Sequence, residues 1–194
     1  MRKVRVAVLI SGNGSNLQAL IDASKAEDFP GEITLVLSNK ADAYGLERAK
    51  QAGIATHVIS HKDYADRAAF DAALDEALVY AATEFICLAG FMRVLTPEFV
   101  QRWDKRMINI HPSLLPKFPG LDTHARALDA GESEHGCTVH WVTAGVDEGP
   151  VIGQARCAIE ADDTAEILKE RVHRLEHALY PESLRKVLLS PQDV

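Results

Sequence analysis

Asn109 and His111 stand two residues apart in Asn109-Ile110-His111-Pro112-Ser113-Leu114-Leu115-Pro116. In an extended segment residues i and i+2 point to the same face, so the amide and the imidazole aim at one point. A donor amide beside an imidazole is what holds a carbonyl oxygen as it becomes negative. Two prolines stiffen the chain just behind the pair. The same eight residues also read as a polar strand end running into a turn, so the chemistry needs support from elsewhere in the chain.

A second signal lies near the N-terminus. Gly12-Asn13-Gly14-Ser15-Asn16 breaks an apolar run, and Leu17 to Ile21 then starts a helical pattern with Ser15 or Asn16 as a natural N-cap. A helix N-terminus beyond the carboxyl end of a strand favours an anion. Gly12 and Gly14 let the backbone come close, and Ser15 and Asn16 offer side-chain donors. No Gly-Lys-Ser/Thr ending makes this a P-loop. Leu17 replaces the third glycine of a dinucleotide fingerprint, and the second strand ends at Ser38-Asn39 with no acidic ribose partner. A small phosphate is the favoured ligand, with a plain tight turn as the alternative.

Other candidates carry weaker signals. His173-Arg174-Leu175-Glu176-His177 matches H-x-x-E-H, which can place two histidines on one helix face for zinc. A third protein ligand must then come from elsewhere, so a polar helix face with Glu176 turned to a ligand or to solvent is preferred. Asp147, in the loop before Pro150, is the candidate partner of His111, where a carboxylate would raise the imidazole pKa. A loop aspartate is also an ordinary turn former. His140 and Trp141 sit in a strand pattern and read as packing residues, while His124 and His135 carry no signal. Arg93, with Val94 and Leu95, follows a strand end where ligands are expected.

The elements that must position these groups alternate between strand and helix. Strands are expected over Val4 to Ile10, Ile33 to Leu37, Ala55 to Ile59, Phe85 to Ala89 and Met107 to Ile110. Helices are expected over Gly45 to Gln51, Asp63 to Ala82, from Thr96 with Pro97 at its first position, and over Thr123 to Ala130. Cys137 to Thr143 and Val151 to Ala158 read as two strands joined by a loop short enough for antiparallel pairing. Asp163 to Leu189 reads as a long closing helix, bent or broken at Pro181. The fold class is α/β, Rossmann-like: a doubly wound, mostly parallel sheet with antiparallel strands near the C-terminal part and helices on both faces.

Composition bounds the reading. The 194 residues, 47% hydrophobic and 25% charged, suit one domain with a single core. A net charge of -7 argues against a general nucleic-acid or membrane surface. No apolar run reaches the length of a membrane span. Met1-Arg2-Lys3 and the apolar residues after it lack a cleavage pattern and read as the approach to a first strand. Three cysteines, Cys87, Cys137 and Cys157, fit neither a disulfide framework nor a four-cysteine zinc site, which points to a reducing, cytoplasmic setting.

Taken together, these residues resemble the phosphoribosylglycinamide formyltransferase family, the folate-dependent enzymes of purine synthesis. The matching pieces are Val8 to Gln18, Ser38-Asn39-Lys40-Ala41, Leu88-Ala89-Gly90-Phe91-Met92-Arg93, Asn109 to Pro116, His135-Gly136, Val146 to Pro150, and Glu176-His177 before Tyr180-Pro181. They lie in order across nearly the whole chain. The Asn-x-His-Pro-Ser-Leu-Leu-Pro segment marks the wider formyltransferase superfamily, and the Gly-Asn-Gly-Ser-Asn turn narrows it.

The resemblance implies a single formyltransferase domain over residues 1–194, with 10-formyltetrahydrofolate as co-substrate, glycinamide ribonucleotide as acceptor and no metal. It makes Asn109, His111 and Asp147 the catalytic trio. Gly14, Ser15 and Asn16 are then expected to hold the substrate phosphate and Glu176 its ribose. Arg67, Met92, Arg93, Val94, Leu95, Asn109 and Thr143 are expected at the folate site, with the loop from Thr143 to Asp147 closing over the pterin. The partners are small molecules, without nucleic acid or membrane, and the chain is expected as a monomer or homodimer. Asp122 stands where the family often has histidine and is given no role, and the chain stops at Val194, earlier than many relatives. Formyltetrahydrofolate deformylase and methionyl-tRNA formyltransferase are rivals, each of which would carry a further domain. A non-catalytic module binding a phosphorylated metabolite is the rival of another class.

Overall fold

In a computed structural model of the chain, which describes residues 2–190, the apolar run after Arg5 forms strand β1 (Val4–Ile10) inside one seven-stranded sheet. Met1 and the chain end at residues 191–194, both noted above, lie outside the described residues. Val6, Val8 and Ile10 pack to one side of the sheet and Ala7 and Leu9 to the other, all fully buried. Being covered on both faces is why β1 shows no polar alternation.

The remaining elements follow in alternation. They are α1 (Ser15–Ser24), β2 (Gly31–Ser38), α2 (Gly45–Gln51), β3 (Ala55–Val58), α3 (Arg67–Tyr80), β4 (Phe85–Leu88) and α4 (Pro97–Arg102). Then come β5 (Met107–His111), α5 (Thr123–Asp129), β6 (Glu134–Trp141), β7 (Val151–Ala158) and α6 (Ala165–Leu189). The strand order is β3-β2-β1-β4-β5-β6-β7, parallel as far as β5, with β6 and β7 antiparallel. Leu17 and Leu20 of α1, Leu46 of α2 and Leu168, Val172 and Leu184 of α6 cover one face. Phe70, Leu74 and Leu78 of α3, with Phe99 of α4 and Trp103 at its C-cap, cover the other. Each large apolar side chain so buried contributes about 1.5–3 kcal/mol.

Local capping moved several expected boundaries. The helix expected from Asp63 starts at Arg67, because Asp66 accepts from the Ala69 N–H at 2.8 Å and residues 61–63 form a separate 3₁₀ turn. Gly14, and neither Ser15 nor Asn16, is the N-cap of α1. The closing helix starts at Ala165, capped by Thr164, because the Asp163 carboxylate is taken by both Arg171 nitrogens at 2.6 and 2.8 Å. The expected bend or break at Pro181 does not divide it: α6 is a single helix from Ala165 to Leu189. Its neighbour Tyr180, fully buried, points its hydroxyl at the carbonyls of Leu88 (2.8 Å) and Ile108 (3.2 Å). That contact seats α6 over the ends of β4 and β5.

Candidate active site

The chain leaves β1 toward β2 on one side and returns as β4 on the other, which opens a crevice beyond the carboxyl ends of the strands. A cavity of about 820 Å³ occupies that place. Its walls come from the segment after β4, the end of β5, the loop after β6 and the inner face of α6.

Asn109 and His111 share the face of β5 that also carries Met107, while Ile108 and Ile110 turn into the core under α6. Both polar side chains therefore line the cavity, as their spacing predicts. The Phe118 carbonyl lies 2.9 Å from His111 Nε2, and because a carbonyl can only accept, Nε2 carries a proton. That leaves His111 Nδ1 facing Asp147 Oδ2 at 3.3 Å. The Gly120 N–H donates to the same carboxylate oxygen at 2.9 Å.

His140 joins this group, against the expectation that it only packs. The antiparallel register sets it directly opposite Asn109, so the two side chains share a face. Its Nδ1–H donates to the Trp141 carbonyl at 2.8 Å, which leaves Nε2 to accept from Asn109 Nδ2 at 3.3 Å. An amide nitrogen has two hydrogens, so the second stays available to the cavity. His140 Nε2 also lies 3.6 Å from Asp147 Oδ1, a charge neighbour rather than a hydrogen bond.

Burial sets the electrostatics. Desolvation pushes the His111 pKa below the usual histidine value; the Phe118 carbonyl pushes it up, and so does the Asp147 carboxylate, in the direction expected of it. Burial also pushes the Asp147 carboxyl up, but His140, the Gly120 N–H and His111 outweigh it and hold it below the usual carboxylate value. With Nε2–H given to the Phe118 carbonyl, a neutral His111 turns its Nδ1 lone pair toward Asp147 Oδ2, so a proton taken up by the pair is shared between those two atoms.

At the far side of the cavity the glycine turn opens α1. Gly14 has φ 76, and a Cβ there would lie 2.7 Å from the Gly45 Cα, where the Gly45 N–H donates to the Gly12 carbonyl at 3.0 Å. Only glycine fits that left-handed turn against the start of α2. Asn16 turns its amide to Glu176 Oε2 at 2.9 Å, and its own Oδ1 is buried without a partner. Glu176 is 3% exposed, and burial pushes its pKa up to about 7 against the pull of Asn16. Gly14 and Ser15 hold the turn, while Asn16 and Glu176 reach the cavity.

The segment after β4 supplies the apolar wall. Met92 and Val94 expose 59% and 51% of their surface here, and Leu95 is buried beneath them. The Met92 N–H is anchored on Ser11 Oγ at 2.8 Å. Arg93 lies over the Phe70 ring at 6.0 Å with its Nε buried and unpaired. Thr143 lines the cavity, but Arg67 does not: it stands exposed at the first turn of α3.

Of the other histidines, His173 and His177 stack at 6.2 Å on α6, with Glu176 between them in sequence but turned to Asn16. Among the described residues no group of three or more His, Cys, Asp or Glu is arranged to hold a metal ion, and no helix is long and apolar enough to cross a membrane. His124 and His135 form a perpendicular pair with nitrogens 3.2 Å apart, and burial pushes the His124 pKa down to about 4. Leu121, Asp122 and Lys169 also line the cavity. The main-chain groups of Phe118 and Gly120 left no mark in side-chain motifs, so residue types could not have revealed them.

A family model described as "Formyl transferase" matches residues 4–184, from β1 into α6. The phosphoribosylglycinamide formyltransferase of Escherichia coli (strain K12) is 52% identical over 178 residues, covering 92% of this chain and 84% of that protein. The trifunctional purine biosynthetic protein adenosine-3 of Drosophila melanogaster is 52% identical over 98% of this chain, which spans only 15% of that protein's length. The crystal structure of phosphoribosylglycinamide formyltransferase from Brucella melitensis superposes with a TM-score of 0.93 at 50% identity, covering 98% of both chains. With the family model matching residues 4–184 and these relatives about half identical over more than nine-tenths of it, the chain belongs to the formyl transferase family.

Proposed function

We propose that this protein transfers a formyl group from 10-formyltetrahydrofolate to the amine of glycinamide ribonucleotide, a step of de novo purine synthesis. The observation that carries this reading is the convergence of Asn109, His111 and Asp147 on one cavity. That cavity lies between the glycine turn, which reaches it through Asn16, and an apolar wall at Met92 to Leu95. The names of the relatives above support the same substrates.

The amine attacks the formyl carbon, and the carbonyl oxygen gains the charge. Asn109 Nδ2 is the hydrogen-bond donor for that oxyanion, and protonated His111 sets its positive charge beside it. Collapse breaks the bond to N10 of the folate, so a proton must leave the attacking nitrogen and another must reach N10. The His111–Asp147 pair serves this exchange, directly or through water. Gly14, Ser15 and Asn16 hold the phosphate at the helix N-terminus, and Glu176 meets the ribose. Met92, Arg93, Val94, Leu95 and Thr143 take the folate, with Arg67 reaching only its far end.

The folate is a co-substrate, and none of these steps calls on a metal. Residues 1–194 act as one Rossmann-like catalytic domain, as a monomer or homodimer. The charge of -7 and the unpaired cysteines support a cytoplasmic enzyme of small molecules without nucleic-acid or membrane partners. The test is to incubate the protein with 10-formyltetrahydrofolate, with and without glycinamide ribonucleotide, and follow the freed folate. Release that requires the nucleotide is the expected result. Release without it means hydrolysis, and no release in either arm means a binding module.

A further inference from the structure

The loop between β5 and α5 grips the proposed catalytic pair through its main chain. Phe118, Gly120 and Asp122 all adopt left-handed backbone, with φ of 54, 79 and 56. Alternate left-handed residues turn successive peptide groups to opposite sides. The Phe118 carbonyl and the Gly120 N–H face inward, onto His111 Nε2 and Asp147 Oδ2, each at 2.9 Å. The carbonyls of Pro119 and Leu121 face outward, and both are taken by one side chain: Arg126 Nη1 donates to them at 2.6 and 3.1 Å. The same guanidinium lies over the Phe118 ring, 5.5 Å from its centroid. Arg126 sits on α5, exposed, and its side-chain hydrogen bonds go to this loop.

We propose that Arg126 is a positioning residue for the His111–Asp147 pair, acting by fixing the main chain of residues 118–122 from outside. The inference rests on the formyl-transfer reading for what the pair does, but its geometry stands without it. Left-handed backbone at a non-glycine residue costs about 1–2 kcal/mol, so the loop needs an external strut to hold Phe118 and Asp122 in that region. The guanidinium gives both N–H bonds from Nη1 while its plane lies over the Phe118 ring, and an ammonium has no such face to lay there. Arg126 also contributes charge. Burial is the main cause of the depressed His111 pKa, the Phe118 carbonyl and Asp147 oppose it, and His140 and Arg126 add to it. His124 and His135 are the further titratable groups behind the loop.

Two variants separate the strut from the charge. Arg126→Lys keeps the charge and loses the stacked guanidinium plane; Arg126→Ala loses both. Both are expected to lower kcat roughly tenfold to a hundredfold, the range for a small misplacement of reacting groups, with each KM within about twofold of wild type. NMR of the same proteins without substrate gives an independent readout. The protected Nε2–H signal of His111 should be present in wild type and lost in both variants. The His111 titration should move to lower pH in both variants, because the Phe118 carbonyl that raises it is released, and less far in Arg126→Ala, where a positive neighbour is lost as well. A kcat within twofold of wild type in Arg126→Lys overturns the proposal, as does a kcat loss accounted for by the unfolded fraction in a thermal melt. If the wild type shows no transfer, the function reading fails on its own. The NMR arm then decides this proposal: an unchanged Nε2–H signal in Arg126→Ala overturns it.

Discussion

Asn109 and His140 face each other across the β5–β6 pair, with Asn109 Nδ2 3.3 Å from His140 Nε2. The imidazole takes one amide hydrogen and so sets the direction of the other. His140→Phe keeps the bulk and removes the acceptor. We expect kcat to fall about tenfold or more, since freeing an amide to rotate misplaces a donor by an ångström or so. KM for either substrate should stay within about twofold, and steady-state kinetics checks both.

Asn109→Ala removes the donor itself. Loss of one oxyanion donor typically costs ~10²–10³ in turnover, and Asn109→Ala should fall in that range with the fold intact. Unchanged turnover in a variant with a native circular dichroism spectrum would end the assignment.

The phosphate turn can be tested by charge. Ser15→Glu places a carboxylate at the first position of α1. It should raise KM for the phosphorylated substrate far more than KM for the folate, because like charges meet only at the first. An equal effect on both would count against a phosphate there.

Gly14→Ala tests the same turn by shape. The left-handed φ of 76 and the 2.7 Å approach of the Gly45 Cα act together. A loss of about 2–4 kcal/mol in urea unfolding is expected. A loss under 0.5 kcal/mol would mean that the turn relaxes freely.

Glu176 makes stability depend on pH. Burial raises its folded pKa from the ordinary 4.5 to about 7, so the neutral carboxyl is favoured. That contribution is fully present below 4.5 and is lost as pH rises through about 7. At pH 8 the buried carboxylate costs up to about 3 kcal/mol relative to an uncharged side chain. Glu176→Gln should therefore melt above wild type at pH 8 and close to it at pH 4.5. The same melting difference at both pH values would remove the raised pKa as its cause.

Strand β1 was legible because burial on both faces writes an uninterrupted apolar run, Val6 to Ile10, and the glycine turn after it is too abrupt for a helix. The Asn109–His111 pair was legible because strand periodicity is a local property. His140 was not, since its place beside Asn109 depends on which residue of β6 pairs with which of β5. The Phe118 and Gly120 contacts escaped for a different cause: main-chain groups carry no residue identity. Where helices begin was misjudged at Asp63 and Asp163, because a single aspartate can cap a helix or bind an arginine nearby. Arg67 was placed at the folate by family likeness alone, and it stands exposed outside the cavity lining.

The alternation along β6 has a consequence for how errors are rejected. Thr138 and His140 lie on the side of the cavity, and Cys137 and Val139 lie in the core under α6. A one-residue slip of β6 would exchange the two sets. Each polar group then buried without a partner costs about 1–3 kcal/mol, and each apolar residue turned out forfeits a comparable amount. A chain with its reactive groups misaligned is thus also a chain with a damaged interior, and it unfolds more readily than the correct one. The hydrophobic core acts as a proofreader for the chemistry on the other side of the sheet.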